Sequence, residues 1–124
     1  MRVTSLIAFI PFLAPALAAN HKNCWCTVQY GPGKNDWRYD WQLTFNVCKS
    51  SYTQTADYDT GSGHCIANPH TRLDGDRFYN NCKSTGAGGW FPVVNGAVDT
   101  TANKLFAPKN WRTGQLYQTG SDCD

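Results

Sequence analysis

The sequence predicts an α+β fold: one small disulfide-stapled domain, mainly antiparallel β, with one or two short helices. Three observations lead there. Six cysteines, at Cys24, Cys26, Cys48, Cys65, Cys82 and Cys123, all follow an apolar leader. All nine acidic residues are Asp, and with eleven Gly they bias the chain toward turns and away from long helices. Short apolar–polar alternations are separated by Gly, Pro and Asn punctuation, as in a strand-rich domain.

Residues 1–18 read as a secretory signal peptide. Arg2 supplies the positive start, Leu6 to Leu17 the apolar run, and Ala16-Leu17-Ala18 the small residues of a cleavage site. The remaining residues, 19–124, form a single cysteine-rich domain. Passage into an oxidising compartment would pair the six cysteines, so the protein is expected to be secreted and extracellular. A domain of this size buries a limited core, and each crosslink adds roughly 2–4 kcal/mol. No second apolar run of membrane-spanning length follows the leader, so no membrane anchor is expected.

The elements follow in order. Cys24 to Tyr30 reads as a strand in which Cys24 and Cys26 share a face. They are badly placed to bond each other and should reach two different partners, in the Cys48 to Cys82 region or at Cys123. Gly31-Pro32-Gly33 breaks this strand. From Trp37 to Cys48, Trp37, Tyr39, Trp41, Leu43, Phe45 and Val47 alternate with polar residues, which predicts a long half-buried strand. A helix capped by Asp36, with Trp37, Trp41, Phe45 and Cys48 on one side, is the alternative. A short strand is expected within Tyr52 to Thr55, and an extended piece around Cys65 from His64 to Pro69. Asp74 to Lys83 is the best helix: Asp74 can cap it, Phe78 and Cys82 lie one turn apart, and Gly86 can end it. Trp90 to Val94 reads as a strand entering an Asn95-Gly96 hairpin turn. Trp111 to Thr119 is expected as a final strand, with Cys123 stapling the C-terminus.

Composition narrows the function. The formal charge is +2, or +1 once Arg2 leaves with the leader, with no basic cluster; nucleic acid is not an expected partner. The cysteines contain no Cys-x-x-Cys pair, so disulfides are preferred over metal, and neither metal nor cofactor is expected. No catalytic residues are assigned. Among enzymes, a ribonuclease using His64 and His70 with Arg72 or Arg77 is the least remote. Glycosidase chemistry would have to draw both its carboxylates from Asp. The Asp57 to Gly61 stretch departs from a calcium loop, which would require Glu where Asn68 stands.

The aromatic residues carry the stronger signal. On one strand, Trp37, Tyr39 and Trp41 would form a row of ~13 Å. Alternation makes that row first of all a buried face. Exposed, it would be a platform for stacking on sugar rings or an anchor for a protein partner.

The leader, Cys24-Trp25-Cys26, the Thr44 to Cys48 segment, and Leu73-Asp74-Gly75-Asp76-Arg77-Phe78 leading to Cys82 resemble small cysteine-rich secreted proteins of filamentous fungi, the class of effectors and elicitors. The resemblance spans Cys24 to Cys82 and implies that the Thr44 to Cys48 segment is helical. It also implies a virulence or elicitor role in plant–pathogen interaction, with a monomeric protein acting by binding. A host protein or a cell-wall glycan would be the partner. A glycan-binding module is the alternative reading, followed by a secreted ribonuclease or antimicrobial toxin.

Overall fold

The computed structural model describes residues 20–124; the signal peptide assigned to residues 1–18 lies outside the described residues. The chain runs β1 (Asn20–His21), β2 (Asn23–Gln29), β3 (Trp37–Tyr39), α1 (Trp41–Ser51), β4 (Ala56–Asp59), β5 (His64–Ala67), β6 (Leu73–Asp74), α2 (Gly75–Gly88), β7 (Val93–Val94), β8 (Ala97–Val98) and β9 (Thr119–Cys123). The result is a disulfide-stabilised α+β domain with two helices against a mostly antiparallel sheet.

β2 is the hub of that sheet. Along one edge it pairs with β9 from Cys24 opposite Cys123 to Val28 opposite Thr119. Its other edge is shared: Thr27 to Gln29 pair with β3, and Asn23 and Cys24 pair with β5, which continues the sheet to β4. The first turn of α1 fills the handover between β3 and β5. There the Asp40 amide donates to the Cys26 carbonyl at 3.1 Å, and the Cys26 amide donates to Thr44 Oγ1 at 2.9 Å. No backbone group of the central strand is left unpaired at the gap, as burial requires.

Period-2 alternation along β2 sorts its side chains. Cys24, Cys26 and Val28 are fully buried beneath the helices. All three disulfides hold this layer: Cys24 with Cys123, Cys26 with Cys82 on α2, and Cys48 on α1 with Cys65 on β5. Cys24 and Cys26 thus share a face and reach different partners. Leu43, Val47, Leu73 and Phe78 complete the core, each side chain contributing roughly 1.5–3 kcal/mol by burial.

The long strand expected over Trp37 to Cys48 is corrected to a three-residue strand followed by a helix. Asp40, rather than Asp36, is the cap; its carboxylate accepts from the Leu43 amide at 2.9 Å. Every residue from Leu43 to Cys48 is buried, because α1 is enclosed on more than one side. Leu43, Val47, Thr44 and Cys48 fall at four-residue spacing. Phe45 meets the Tyr58 ring edge-on with centroids 5.0 Å apart, and Asn46 bonds both the carbonyl and the amide of Phe91. Burial on several sides disguises a helical period as alternation.

The Asp74-capped helix forms but continues past Gly86 to Gly88. Its end is Gly89, whose φ of +84° suits glycine. The strand expected within Tyr52 to Thr55 is instead the turn that closes α1, with the Ala56 amide donating to the Tyr52 carbonyl at 3.0 Å; the strand begins at Ala56. His64 to Ala67 is extended, and Asn95-Gly96 joins β7 to β8 with φ of +52° and +79°. Trp90 itself sits outside β7 and forms an isolated bridge with Leu105. The final strand starts at Thr119, not Trp111. Asn110 Oδ1 accepts from the Arg112 amide and Gly114 adopts φ of +73°, which folds residues 110–115 into a tight loop.

Candidate binding face

The sheet face opposite the helices is assembled by register. Trp25 and Thr27 on β2 lie beside Asp122 and Gly120 on β9, while Tyr39 faces Thr27 and Trp37 faces Gln29. On the neighbouring strand, His64 and Ile66 share this side with Asn23. The helices reach it only at its margins, through Tyr79 of α2 and Trp41 of α1.

Trp37, Tyr39 and Trp41 retain 37%, 42% and 45% of their exposure, so the expectation that this row is core is corrected. Nor is the row continuous. Trp37 and Tyr39, two residues apart on β3, are separated by about 7 Å along the strand. Trp41 has passed into the first turn of α1. The row therefore divides into two hollows.

Trp37 borders the first, a cavity of about 340 Å3 lined by Thr27, Lys34, Tyr79, Gly120, Ser121 and Asp122. A Cβ on Gly120 would stand 3.3 Å from both the Trp37 and Tyr79 rings and 3.6 Å from Thr27 Oγ1. Gly120 is thus buried where the Trp37 and Tyr79 rings close on β9.

The second hollow, of about 430 Å3, is lined by Tyr39, Trp41, Tyr58 and the turn 60–63. The Tyr39 hydroxyl donates to the Gly63 carbonyl and lies 3.5 Å from the Tyr58 hydroxyl. Burial, then the Tyr58 hydroxyl and the nearby Asp40 charge, push the Tyr39 phenol well above its ordinary pKa, so it stays protonated and donating. The turn is shaped by Asp59, whose carboxylate accepts from the Ser62 amide at 2.9 Å. Bonding from Ser62 holds that carboxyl below its usual range.

Between the hollows His64 stacks on Trp25, with centroids 4.0 Å apart and planes 15° apart, and meets Tyr39 edge-on at 6.2 Å. Its Nδ1 is 3.0 Å from Asn23 Oδ1. His70, the other half of the histidine pair, is exposed beyond the far end of β5, about 10 Å of strand away plus a turn. Arg72 and Arg77 line a different hollow with Asp74, and His70 does not join them.

Three contributors to the face were not singled out from the sequence. Tyr79 was hidden in a helix whose apolar signal came from Phe78 and Cys82. Trp25 and Gly120 meet the aromatic row only through the pairing of β2 with β3 and β9. Among the described residues, no group of three or more His, Cys or Asp side chains is placed to hold a metal ion, and no helix is long and apolar enough to cross a membrane.

Residues 21–91 match a family of unknown function (DUF5948), more than half of the chain, and the chain belongs to that family. The match contains Lys34, Trp37, Tyr39, Trp41 and Tyr79 and ends before β9, which brings Gly120 and Asp122. No curated protein and no solved structure matches the chain.

Proposed function

We propose that the chain is a secreted fungal protein that acts by binding at the host interface, as an effector or elicitor, and that its contact surface is the open aromatic face. The observation that carries this reading is the grouping of exposed Trp37, Tyr39 and Trp41 along β3 and the start of α1, where they border two hollows; exposure alone is shared with Tyr30, Tyr79, Phe106 and Trp111. Exposed aromatic side chains that border hollows are the usual anchors of binding surfaces. The three disulfides suit such a role, since they keep a small domain folded in an oxidising, protease-rich setting.

Infiltration of purified, oxidised protein into leaves tests the proposal, with cell death and oxidative burst as readouts. Wild type should provoke a response, or suppress that of a second elicitor. A folded Trp37→Ala/Trp41→Ala double variant should do neither. A variant as active as wild type would remove the aromatic face from the mechanism.

A further inference from the structure

We infer that the hollow between Trp37 and Tyr79 is a subsite for one pyranose ring of a neutral glycan; the inference rests on the binding-face reading and gives that face its ligand.

Gly120 is the first argument. It lies within β9, paired directly with Thr27, and its φ is outside the left-handed region. Backbone conformation therefore does not call for glycine here, and glycine weakens a strand. What its missing side chain allows is close packing: the Trp37 and Tyr79 rings both approach to 3.3 Å of where a Cβ would stand, and Gly120 is buried beneath them. The result is a pair of aromatic rings set close together on β9, bordering a cavity of about 340 Å3, near the lower end of small-molecule sites.

The polar lining is the second argument. Lys34, Thr27, Ser121 and Asp122 all border the hollow, and none of their side chains makes a hydrogen bond or ion pair among the described residues. Lys34 offers an ammonium donor, Asp122 a carboxylate acceptor and Thr27 a hydroxyl that can do either, while Ser121, opposite Cys26, stands on the other side of β9. Lys34 and Asp122 bring opposite charges to one cavity, so an anionic ligand would meet the carboxylate and a cationic one the ammonium. A neutral ligand bearing many hydroxyls can donate to Asp122, accept from Lys34 and lay its C–H face on an aromatic wall. A pyranose has that chemistry, and the cavity's openness on the sheet face lets a polymer continue beyond it, toward Tyr39 and Trp41.

Titration of the oxidised protein with chitohexaose and with laminarihexaose, followed by Trp fluorescence and amide chemical shifts, tests the inference. Binding of at least one should be saturable, with shifts at Thr27, Lys34, Gly120 and Asp122. Gly120→Val should weaken it at least tenfold, and Tyr79→Ala and Asp122→Asn, both at exposed positions, should each weaken it several-fold without unfolding the domain. Oligogalacturonate and chitosan oligomers, which are charged, should bind more weakly than their neutral counterparts. Absence of binding to either neutral oligomer at millimolar concentration overturns the inference, as does binding that Tyr79→Ala and Asp122→Asn leave unchanged. The leaf assay remains an independent readout: a response lost in the Trp37→Ala/Trp41→Ala variant without any oligosaccharide binding would keep the face and assign it a protein partner.

Discussion

The hydroxyl of Thr119 donates to the carbonyl of Cys82 at 2.8 Å while its side chain occupies the space that a Cβ on Gly86 would need. α2 therefore crosses β9 at a glycine, and the Cys26–Cys82 disulfide ties the same helix to the strand beside β9. This close crossing sets how deep β9 sits, and with it the position of Gly120, the next residue.

Gly86→Ala tests the crossing. Alanine is the better helix former, yet here its methyl overlaps a stiff β-branched side chain. Overpacking should destabilise the protein by about 1–3 kcal/mol in denaturant unfolding. Pairing it with Thr119→Ser should recover part of the loss.

The disulfides should separate stability from the binding face. Cys48–Cys65 closes a loop of sequence separation 17, so its loss should cost roughly 3 kcal/mol. Because it lies away from β9, oligosaccharide binding should survive in a Cys48→Ala/Cys65→Ala protein kept below its melting temperature. Loss of Cys24–Cys123 releases the end of β9, which supplies Gly120 and Asp122. Cys24→Ala/Cys123→Ala should then lose affinity in the same titration even where circular dichroism shows it folded.

Asp40 gives a pH-dependent stability with a defined sign. Burial raises its pKa, although the amides of Leu43 and Gln42 pull the other way. The folded state therefore holds this proton more tightly than the unfolded state. Its contribution to stability is greatest in acid and is lost as pH rises through the raised pKa. Asn is an equally good cap that carries no charge, whereas Ala costs about 1 kcal/mol. Asp40→Asn should accordingly gain on wild type as pH rises from 3 to 7 in parallel thermal melts.

Asp59 has the opposite sign. Its carboxyl is held low by the bonds from Ser62, so its contribution is present above the unfolded carboxylate pKa and lost as pH falls through the depressed one. In acid the turn at residues 59–63 should loosen. The Ser62 amide resonance should move with that titration in wild type and stay put in Asp59→Asn.

Substitution of the partly exposed aromatics should leave the domain folded. Trp41→Ala and Trp37→Ala remove rings that keep 45% and 37% of their exposure, so each should cost about 1–3 kcal/mol, less than truncation of a fully buried aromatic. A much larger loss in either melt would mean that the ring supports the fold and does not serve as a free contact surface.

Much was legible from local chemistry. The turn at Asn95-Gly96 and the cap at Asp74 depend on residues that favour one backbone geometry, and both form where the sequence places them. The shared face of Cys24 and Cys26 follows from the strand period, and the structure gives them separate partners. The segment from Trp37 to Cys48 was not legible in this way. Its alternation and its four-residue spacing are both present, and strand or helix is decided by what surrounds it. Asp40 starts the helix because its amide and the Thr44 hydroxyl must satisfy Cys26 where β3 gives way to β5.

By itself the sequence determined the class of domain, the crosslinking residues, and the presence of more aromatic side chains than a small core needs. Those properties reside in composition and short-range pattern. Only the tertiary structure decided that Trp37, Tyr39 and Trp41 stay outside, that they divide between two hollows, and that Tyr79, Gly120 and Asp122 complete one of them. These residues are up to 88 positions apart, Lys34 to Asp122, and meet only because β2 pairs with β3 on one edge and β9 on the other. Burial is set by which face the helices cover, and that depends on contacts distant in sequence.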